Sequence, residues 1–309
     1  MALLRRTTLG RGGAVLACCA LLAACELQRD PTQLEFEEGD EALAVYSLLV
    51  AGADSAAVQV IRYPVRPPAG GDEFAGVGGA QVRLIHPGGT LTLVEQTTTG
   101  ATCLAPQHPS VPRRNLAGCY VARVPGGIVP GATYGLEVSV GGREIEGSTQ
   151  VPHPPVVLDP TPGERVRLPS SYPNVGTLPV SIQPGAGTGV LRLVLYETDP
   201  ARSCSIFPPS SPDPFGSIYL EPDEVQDAAL ELQPVFCSTV NGMPASSDEL
   251  PAVLRVSAFE PEHARWVEDV IGQGESVRLP LASAGLEGAI GFFSAMAWAE
   301  RAITVDTTP

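Results

Sequence analysis

The residues able to carry out covalent chemistry are few in this 309-residue chain, and they are widely separated. Its four histidines, His86, His108, His153 and His263, are dispersed, and no two of them have the spacing of metal ligands. The motifs GxSxG, HExxH and the Walker loop do not occur, and the absence of lysine excludes a Schiff base and a Ser-Lys nucleophile pair. We therefore expect no enzyme activity, no cofactor and no metal site.

Paired carboxylates keep one catalytic alternative open. Glycoside hydrolysis needs two acidic groups at a defined separation in space, and pairs such as Asp223-Glu224 and Asp248-Glu249 meet the need for residue type. A chain with 34 acidic residues offers many such pairs by chance. A carboxylate-dependent hydrolase is thus an alternative to a non-catalytic function.

The cysteine with the most distinctive surroundings is Cys25. Arg5, Arg6 and Arg11 precede an apolar run without charge over residues 14–24, which is the layout of a secretory signal. The run is shorter than the roughly 20 apolar residues that a membrane-spanning helix needs. The sequence Leu22-Ala23-Ala24-Cys25 at its end resembles the bacterial lipobox, in which the thiol takes up a diacylglycerol and the signal is cut before the cysteine.

The lipobox resemblance implies a protein anchored to a membrane by lipid on Cys25, after removal of a signal peptide over residues 1–24. The alternative is that Cys25 is one more cysteine of the signal, beside Cys18 and Cys19. Glu26 stands where an aspartate would favour retention at the inner membrane. We therefore expect placement at the outer membrane, facing the periplasm or the cell surface.

Charge excludes nucleic acid as a partner, because the chain has a formal net charge of −15 and an anionic polymer would be repelled. Removal of the signal would leave 16 Arg against 34 acidic residues. Residues 25–41 contain many of these acids. A calcium site is conceivable there, but the spacing lacks the pattern of a calcium loop and favours a solvated acidic tether.

Four cysteines remain after the signal and the lipidated residue, namely Cys103, Cys119, Cys204 and Cys237. An even number in an exported chain indicates disulfides, and the simplest pairing joins Cys103 to Cys119 and Cys204 to Cys237. Metal ligation by the four thiols is the alternative, although CxxC spacing is missing.

After the tether the pattern becomes that of an all-β protein, since apolar and polar residues alternate in short runs between Gly- and Pro-rich turns. Residues 80–84 and 90–94 form such runs around His86-Pro87-Gly88-Gly89, which predicts a hairpin. The sequence Pro130-Gly131-Ala132-Thr133-Tyr134 resembles the tyrosine corner of immunoglobulin-like sandwiches. We expect Tyr134 to hydrogen-bond back across its turn.

The proline-rich residues 151–155 suggest a boundary between two β-sandwich domains, an immunoglobulin-like one over residues 42–155 and a second over residues 156–309. In the second, Leu191, Leu193 and Leu195 should face the core and Arg192, Val194 and Tyr196 the other side. The proline at 261 and the glycine at 272 bound the predicted single short helix.

Two features of the second domain suggest binding. A Pro- and Ser-rich loop over residues 199–216 carries Phe207 and Phe215, and loops of this length are uncommon unless they are functional or disordered. Its alternative role is to cover the sandwich with the two phenylalanines. Trp266 and Trp298 offer a sugar-stacking platform, but we expect both to pack in the core.

Several of these segments, taken in order, resemble an uncharacterised family of Gram-negative lipoproteins, often encoded beside TonB-dependent outer-membrane receptors. The matching segments are Gly79-Ala80-Gln81-Val82-Arg83-Leu84, Pro130-Gly131-Ala132-Thr133-Tyr134, Val151-Pro152 and Gly288-Ala289-Ile290-Gly291-Phe292-Phe293. The chain departs from the family at Gly285-Leu286, where Asn-Ile is usual. The resemblance implies an accessory role beside such a receptor and supplies no catalytic residues.

Together these observations predict a membrane-anchored lipoprotein with a non-catalytic binding or accessory function at the cell envelope. The other alternative is a structural spacer of the envelope.

Overall fold

The computed structural model describes residues 41–64, 75–96, 118–167, 176–197, 202–205, 218–225, 228–232, 236–239, 249–272 and 283–306. Nearly all of these residues form strands, and one short helix is present, which confirms the all-β prediction. Within these ranges no helix is long and apolar enough to cross a membrane. The predicted signal, Cys25, the tether up to residue 40, Cys103, Phe207 and Phe215 lie outside the described residues.

Eight strands make up the first part of the chain. They are β1 (Glu41–Val50), β2 (Ser55–Pro64), β3 (Ala75–Gly76), β4 (Gln81–His86), β5 (Gly89–Glu95), β6 (Cys119–Arg123), β7 (Thr133–Val140) and β8 (Arg143–Gln150). The predicted hairpin is confirmed, because β4 and β5 pair antiparallel around the turn at residues 86–89.

The second part has twelve strands and the helix. They are β9 (Val156–Asp159), β10 (Arg165–Arg167), β11 (Gly176–Gln183), β12 (Val190–Glu197), β13 (Arg202–Ser205), β14 (Ile218–Leu220), β15 (Ala228–Leu232), β16 (Phe236–Thr239), β17 (Glu249–Phe259), α1 (Pro261–Gly272), β18 (Ser283–Ala284), β19 (Leu286–Glu287) and β20 (Ile290–Asp306). The helix begins and ends at the proline and the glycine that the sequence indicated.

One long path of paired strands connects both parts in the order β14-β12-β17-β20-β1-β2-β6-β5-β4-β7-β8-β19. Strand β5 changes partner along its length, since it pairs with β4 up to Leu93 and with β6 at Val94 and Glu95. The strands on either side of this change enclose one apolar core, to which β1, β2, β4, β7 and β8 all contribute.

A second apolar core lies between the three-stranded sheet β15-β11-β9 and the strands β12, β17 and β20. The predicted alternation is confirmed here, because Leu191, Leu193 and Leu195 are buried in this core. Both cores thus have the sandwich-like arrangement of two facing layers.

Strand β20 contributes to both cores. Its first residues pair in parallel with β1, and Phe293 and Ala295 pack in the first core. From Met296 onward it pairs antiparallel with β17, and Ile303 and Val305 pack in the second core. The division at residue 155 stays a prediction.

The predicted tyrosine corner is present. Tyr134 is buried, and its hydroxyl oxygen accepts the Val129 N–H at 2.9 Å, five residues upstream. The ring fixes the entry into β7, since it fills the first core while the hydroxyl holds the preceding turn.

Candidate binding surface

The face of β12, β17 and β20 that points away from the second core carries a cluster of polar and aromatic side chains. Alternation dictates this placement, because the leucines of β12 and the residues Leu254 and Val256 of β17 take the inward positions. The cross-strand register then puts Arg255 opposite Glu300, with Tyr196 and Trp298 in neighbouring rows. We call Tyr196, Arg255, Trp298 and Glu300 the Trp298 surface.

Hydrogen bonds hold the guanidinium group of this surface in place. Arg255 donates to Oε1 of Glu300 from Nε at 2.8 Å and from Nη2 at 2.6 Å. Its Nη2 also donates to the hydroxyl of Tyr196 at 3.2 Å, and that hydroxyl donates to Oε1 of Glu300. One carboxylate oxygen thus accepts three hydrogen bonds, which leaves the arginine little freedom to move.

Two aromatic rings flank the same guanidinium. The Arg255 Cζ lies 5.2 Å from the ring centre of Tyr196 and 4.9 Å from that of Trp298, within the range of cation–π attraction. Trp298 is 38% exposed to solvent. Only 6% of the residues in this chain are aromatic, and this one is not used to fill a core. The Arg255 guanidinium therefore contacts the Trp298 indole from one side, and another part of the indole is exposed to solvent.

The ionisation of the surface follows from these contacts. Partial burial, and then the hydrogen bond to Glu300, raise the pKa of Tyr196, while Arg255 opposes the rise. Burial alone would raise the pKa of Glu300, but the hydrogen bonds from Tyr196 and Arg255 outweigh it and lower the pKa. At neutral pH the tyrosine is therefore protonated and the glutamate ionised, so the arginine and glutamate charges cancel.

Two polar atoms of the surface remain available to a ligand. Among the described residues, none hydrogen-bonds to Nη1 of Arg255 or to Oε2 of Glu300. Nη1 offers two N–H donors, and Oε2 is an acceptor. A ligand that both accepts and donates hydrogen bonds next to an apolar patch matches this arrangement.

The structure corrects one expectation about the tryptophans. Trp266 is buried, as expected, but the prediction that Trp298 packs in the core was wrong. The reason is position in the strand, because Trp298 shares the outward face of β20 with Glu300. Alternation of Trp298 and Glu300 with the alanines at 297 and 299 was the sequence signal for this exposure.

A second group of ionisable side chains is enclosed and forms no accessible site. His263 is fully buried and stacks on Phe259 with 4.6 Å between ring centres, and Trp266 and Phe292 are also close. Glu260 caps helix α1, since its carboxylate accepts the N–H groups of residues 262 and 263. Burial raises the pKa of Glu260, and these hydrogen bonds oppose the rise.

The predicted cysteine sites are only partly visible. Cys119 is fully buried and takes part in a disulfide, while Cys103 lies outside the described residues. The backbone register of β13 and β16 places Cys204 directly opposite Cys237. Both predicted pairings stay predictions.

The acidic pairs have other roles where the structure describes them. The Glu224 carboxylate accepts the Glu221 N–H within its own turn, and Glu249 pairs with Arg165 at 2.7 Å. Asp248 lies outside the described residues. In the parts of the chain that the structure describes, no three His, Cys, Asp or Glu residues are grouped as metal ligands.

A shallow depression of about 550 Å³ lies at one end of the first core, where the turns after β1 and β6 meet. Its lining includes Asp54, Arg123 and Pro125. It is open to solvent, and the Trp298 surface concentrates more of the side chains that bind ligands.

No family model and no curated protein matches this chain. Among solved structures, the adhesin InvE of Yersinia pseudotuberculosis is 14% identical, with 72% of this chain and 58% of that chain covered and a TM-score of 0.21. The α2-macroglobulin of Salmonella, reacted with methylamine, is 11% identical, with 90% and 16% covered and a TM-score of 0.20. This chain thus spans less than two thirds of either protein, and likenesses with such TM-scores carry no argument.

Proposed function

We propose that this chain is a non-catalytic binding protein of the bacterial cell envelope, anchored by lipid on Cys25 and accessory to an outer-membrane receptor of the TonB-dependent type. The anchor rests on the lipobox, and the receptor rests on the family resemblance. The observation that supports binding most directly is the Trp298 surface. It faces the periplasm or the cell surface in this proposal.

The composition of the Trp298 surface is that of a binding hot spot. Tryptophan, tyrosine and arginine dominate the residues whose truncation weakens binding most. Here one residue of each type lies within a single cluster, and hydrogen bonds already hold the arginine. Binding at a surface ordered in advance loses less side-chain entropy than binding at flexible side chains.

The disulfides are part of the same proposal. Opposed residues of antiparallel strands have Cα atoms roughly 4.5–5.5 Å apart, which falls within the range that a disulfide spans. The register of Cys204 and Cys237 therefore supports their pairing. We assign Cys103 as the partner of Cys119. This disulfide would close a shorter loop than the one between Cys204 and Cys237.

Metabolic labelling with a palmitate analogue tests the anchor. We expect label on the wild-type protein and none on Cys25→Ser, because the substitution removes the thiol that forms the thioether. The protein level is checked on the same blot. Equal labelling of both proteins would contradict the proposed anchor.

Crosslinking in intact envelopes tests the binding function. Trp298→Ala removes the open indole, and Leu158→Ala is the matched control, because Leu158 is an exposed apolar residue of β9 that lies outside the surface. We expect Trp298→Ala to lose the crosslinked species that the wild type and the control retain. Retention of every species by Trp298→Ala would overturn the assignment of binding to this surface.

A further inference from the structure

We infer that the Trp298 surface binds a free neutral oligosaccharide built of pyranose units, a ligand class that deepens the binding function proposed above and rests on it.

The ring provides a stacking platform. One side of Trp298 faces the Arg255 guanidinium, and 38% of the residue is exposed. The neighbour directly across on β17 is Ser257, which is small and buried. A flat ligand of the size of one sugar ring can stack on the exposed part of the indole. A pyranose presents such a flat face, since its axial C–H groups form an apolar patch.

The polar atoms beside the ring match the edge of the same sugar. Each hydroxyl both donates and accepts a hydrogen bond. Nη1 of Arg255 offers donors, and Oε2 of Glu300 offers an acceptor. Different hydroxyls of one oligosaccharide can therefore bond to the two groups. The contacts with Tyr196 hold the two groups in this geometry before the ligand arrives.

Charge selects a neutral ligand. Arg255 and Glu300 form an ion pair at 2.6 Å, so the surface has no uncompensated cation among these four residues. The chain as a whole has a net charge of −15, which repels anionic polymers. Glycans that carry phosphates or carboxylates, such as lipopolysaccharide and peptidoglycan, are therefore disfavoured, and a free neutral oligosaccharide is favoured.

A sugar also fits better than a protein partner. The buried centre of a protein interface is depleted of charged residues other than arginine, whereas the arginine beside this indole is paired with a glutamate. A hydrated sugar can form hydrogen bonds to both charged side chains with its own hydroxyl groups.

Binding of the purified chain to an array of neutral oligosaccharides, followed by calorimetry with the best ligand, tests the inference. We expect Trp298→Ala to raise the Kd about tenfold, the factor that corresponds to about 1.4 kcal/mol of lost stacking. Trp298→Phe keeps an aromatic face and should retain most of the affinity. Leu158→Ala should bind as the wild type does, and circular dichroism checks that each variant is folded.

Three results would overturn the inference. They are no binding to any neutral oligosaccharide of the array, equal binding by Trp298→Ala, and preferential binding of lipopolysaccharide or peptidoglycan fragments. The proposed function is judged separately by the envelope crosslinks. If those crosslinks depend on Trp298 while no oligosaccharide binds, the binding function stands with a protein partner, and the sugar is excluded.

Discussion

Replacement of two buried tyrosines by phenylalanine measures what the tyrosine corner contributes to stability. Tyr134→Phe removes one hydrogen bond, the one that the Val129 N–H donates to the phenol oxygen at 2.9 Å. The phenylalanine ring fills the same volume, so no cavity forms. A net hydrogen bond contributes about 0.5–1.5 kcal/mol, and we expect the free energy of unfolding to fall by about 1 kcal/mol.

Tyr120 is the matched comparison in the same core. Its hydroxyl donates to the Val77 carbonyl at 2.7 Å and accepts the Ala80 N–H at 2.8 Å, so Tyr120→Phe removes two hydrogen bonds. The loss should be about 2 kcal/mol, twice the effect of Tyr134→Phe. Tyr120→Phe also leaves the buried Val77 carbonyl without its donor. This unsatisfied acceptor keeps the expected loss of unfolding free energy large.

Urea denaturation of the wild type and both variants supplies the measurement. The midpoint should fall for both, and the dependence on urea concentration should not change, because the exposed area is the same. A loss for Tyr134→Phe equal to or larger than that for Tyr120→Phe would refute the assignment of one and two hydrogen bonds. A loss near zero for Tyr134→Phe would refute the structural role of the corner.

Two further predictions concern β20 and the cap of α1. Gly291 has a φ of +106°, and an added Cβ would lie 2.2 Å from the Val45 carbonyl oxygen, so Gly291→Ala should lower the yield of folded protein in a solubility assay. Gly141→Ala, also at positive φ but with open space around it, should cost only about 1–2 kcal/mol of stability and keep the yield near that of the wild type. Equal yields of the two variants would contradict this. The raised pKa of Glu260 means that its proton is held more tightly in the folded state, so its contribution is complete below the ordinary pKa of glutamate and is lost as the pH rises through the raised value. Unfolding free energies should therefore show the advantage of the wild type over Glu260→Gln shrinking as the pH rises above the ordinary pKa of glutamate, and growth of that advantage would show the opposite shift.

The sequence was informative where a pattern is local. The β4–β5 hairpin follows from alternation around one turn, and the Tyr134 corner follows from five consecutive residues. The helix bounds at residues 261 and 272 follow from proline and glycine at positions that start and end helices.

The pairing of β20 could not be predicted from such patterns. Residues 289–297 are buried without interruption, because both faces of the strand are covered, and a run of this kind lacks the alternation that marks a strand. Its parallel pairing with β1 joins residues far apart in sequence. Hydrophobic periodicity carries no information about such a partner.

The Trp298 surface was predictable only in part. Alternation placed Tyr196 outward on β12, which the structure confirms. The meeting of Tyr196, Arg255 and Glu300 depends on the order and register of three strands from distant parts of the chain. Register is set by the packed cores and by turns, so the composition of a single strand does not reveal it.

The position of β20 in both cores has a consequence for the time course of folding. Every other described strand precedes β20 in sequence, and β1 precedes its parallel partner by about 250 residues. In a chain that emerges from its amino end, the edge of β1 that pairs with β20 is open long before β20 exists, and the corresponding edge of β17 is open for a shorter time. The first core is incomplete until Ala295 has emerged and the second until Val305 has, so the protein should depend on protection of its unfinished sheets until synthesis has passed these points.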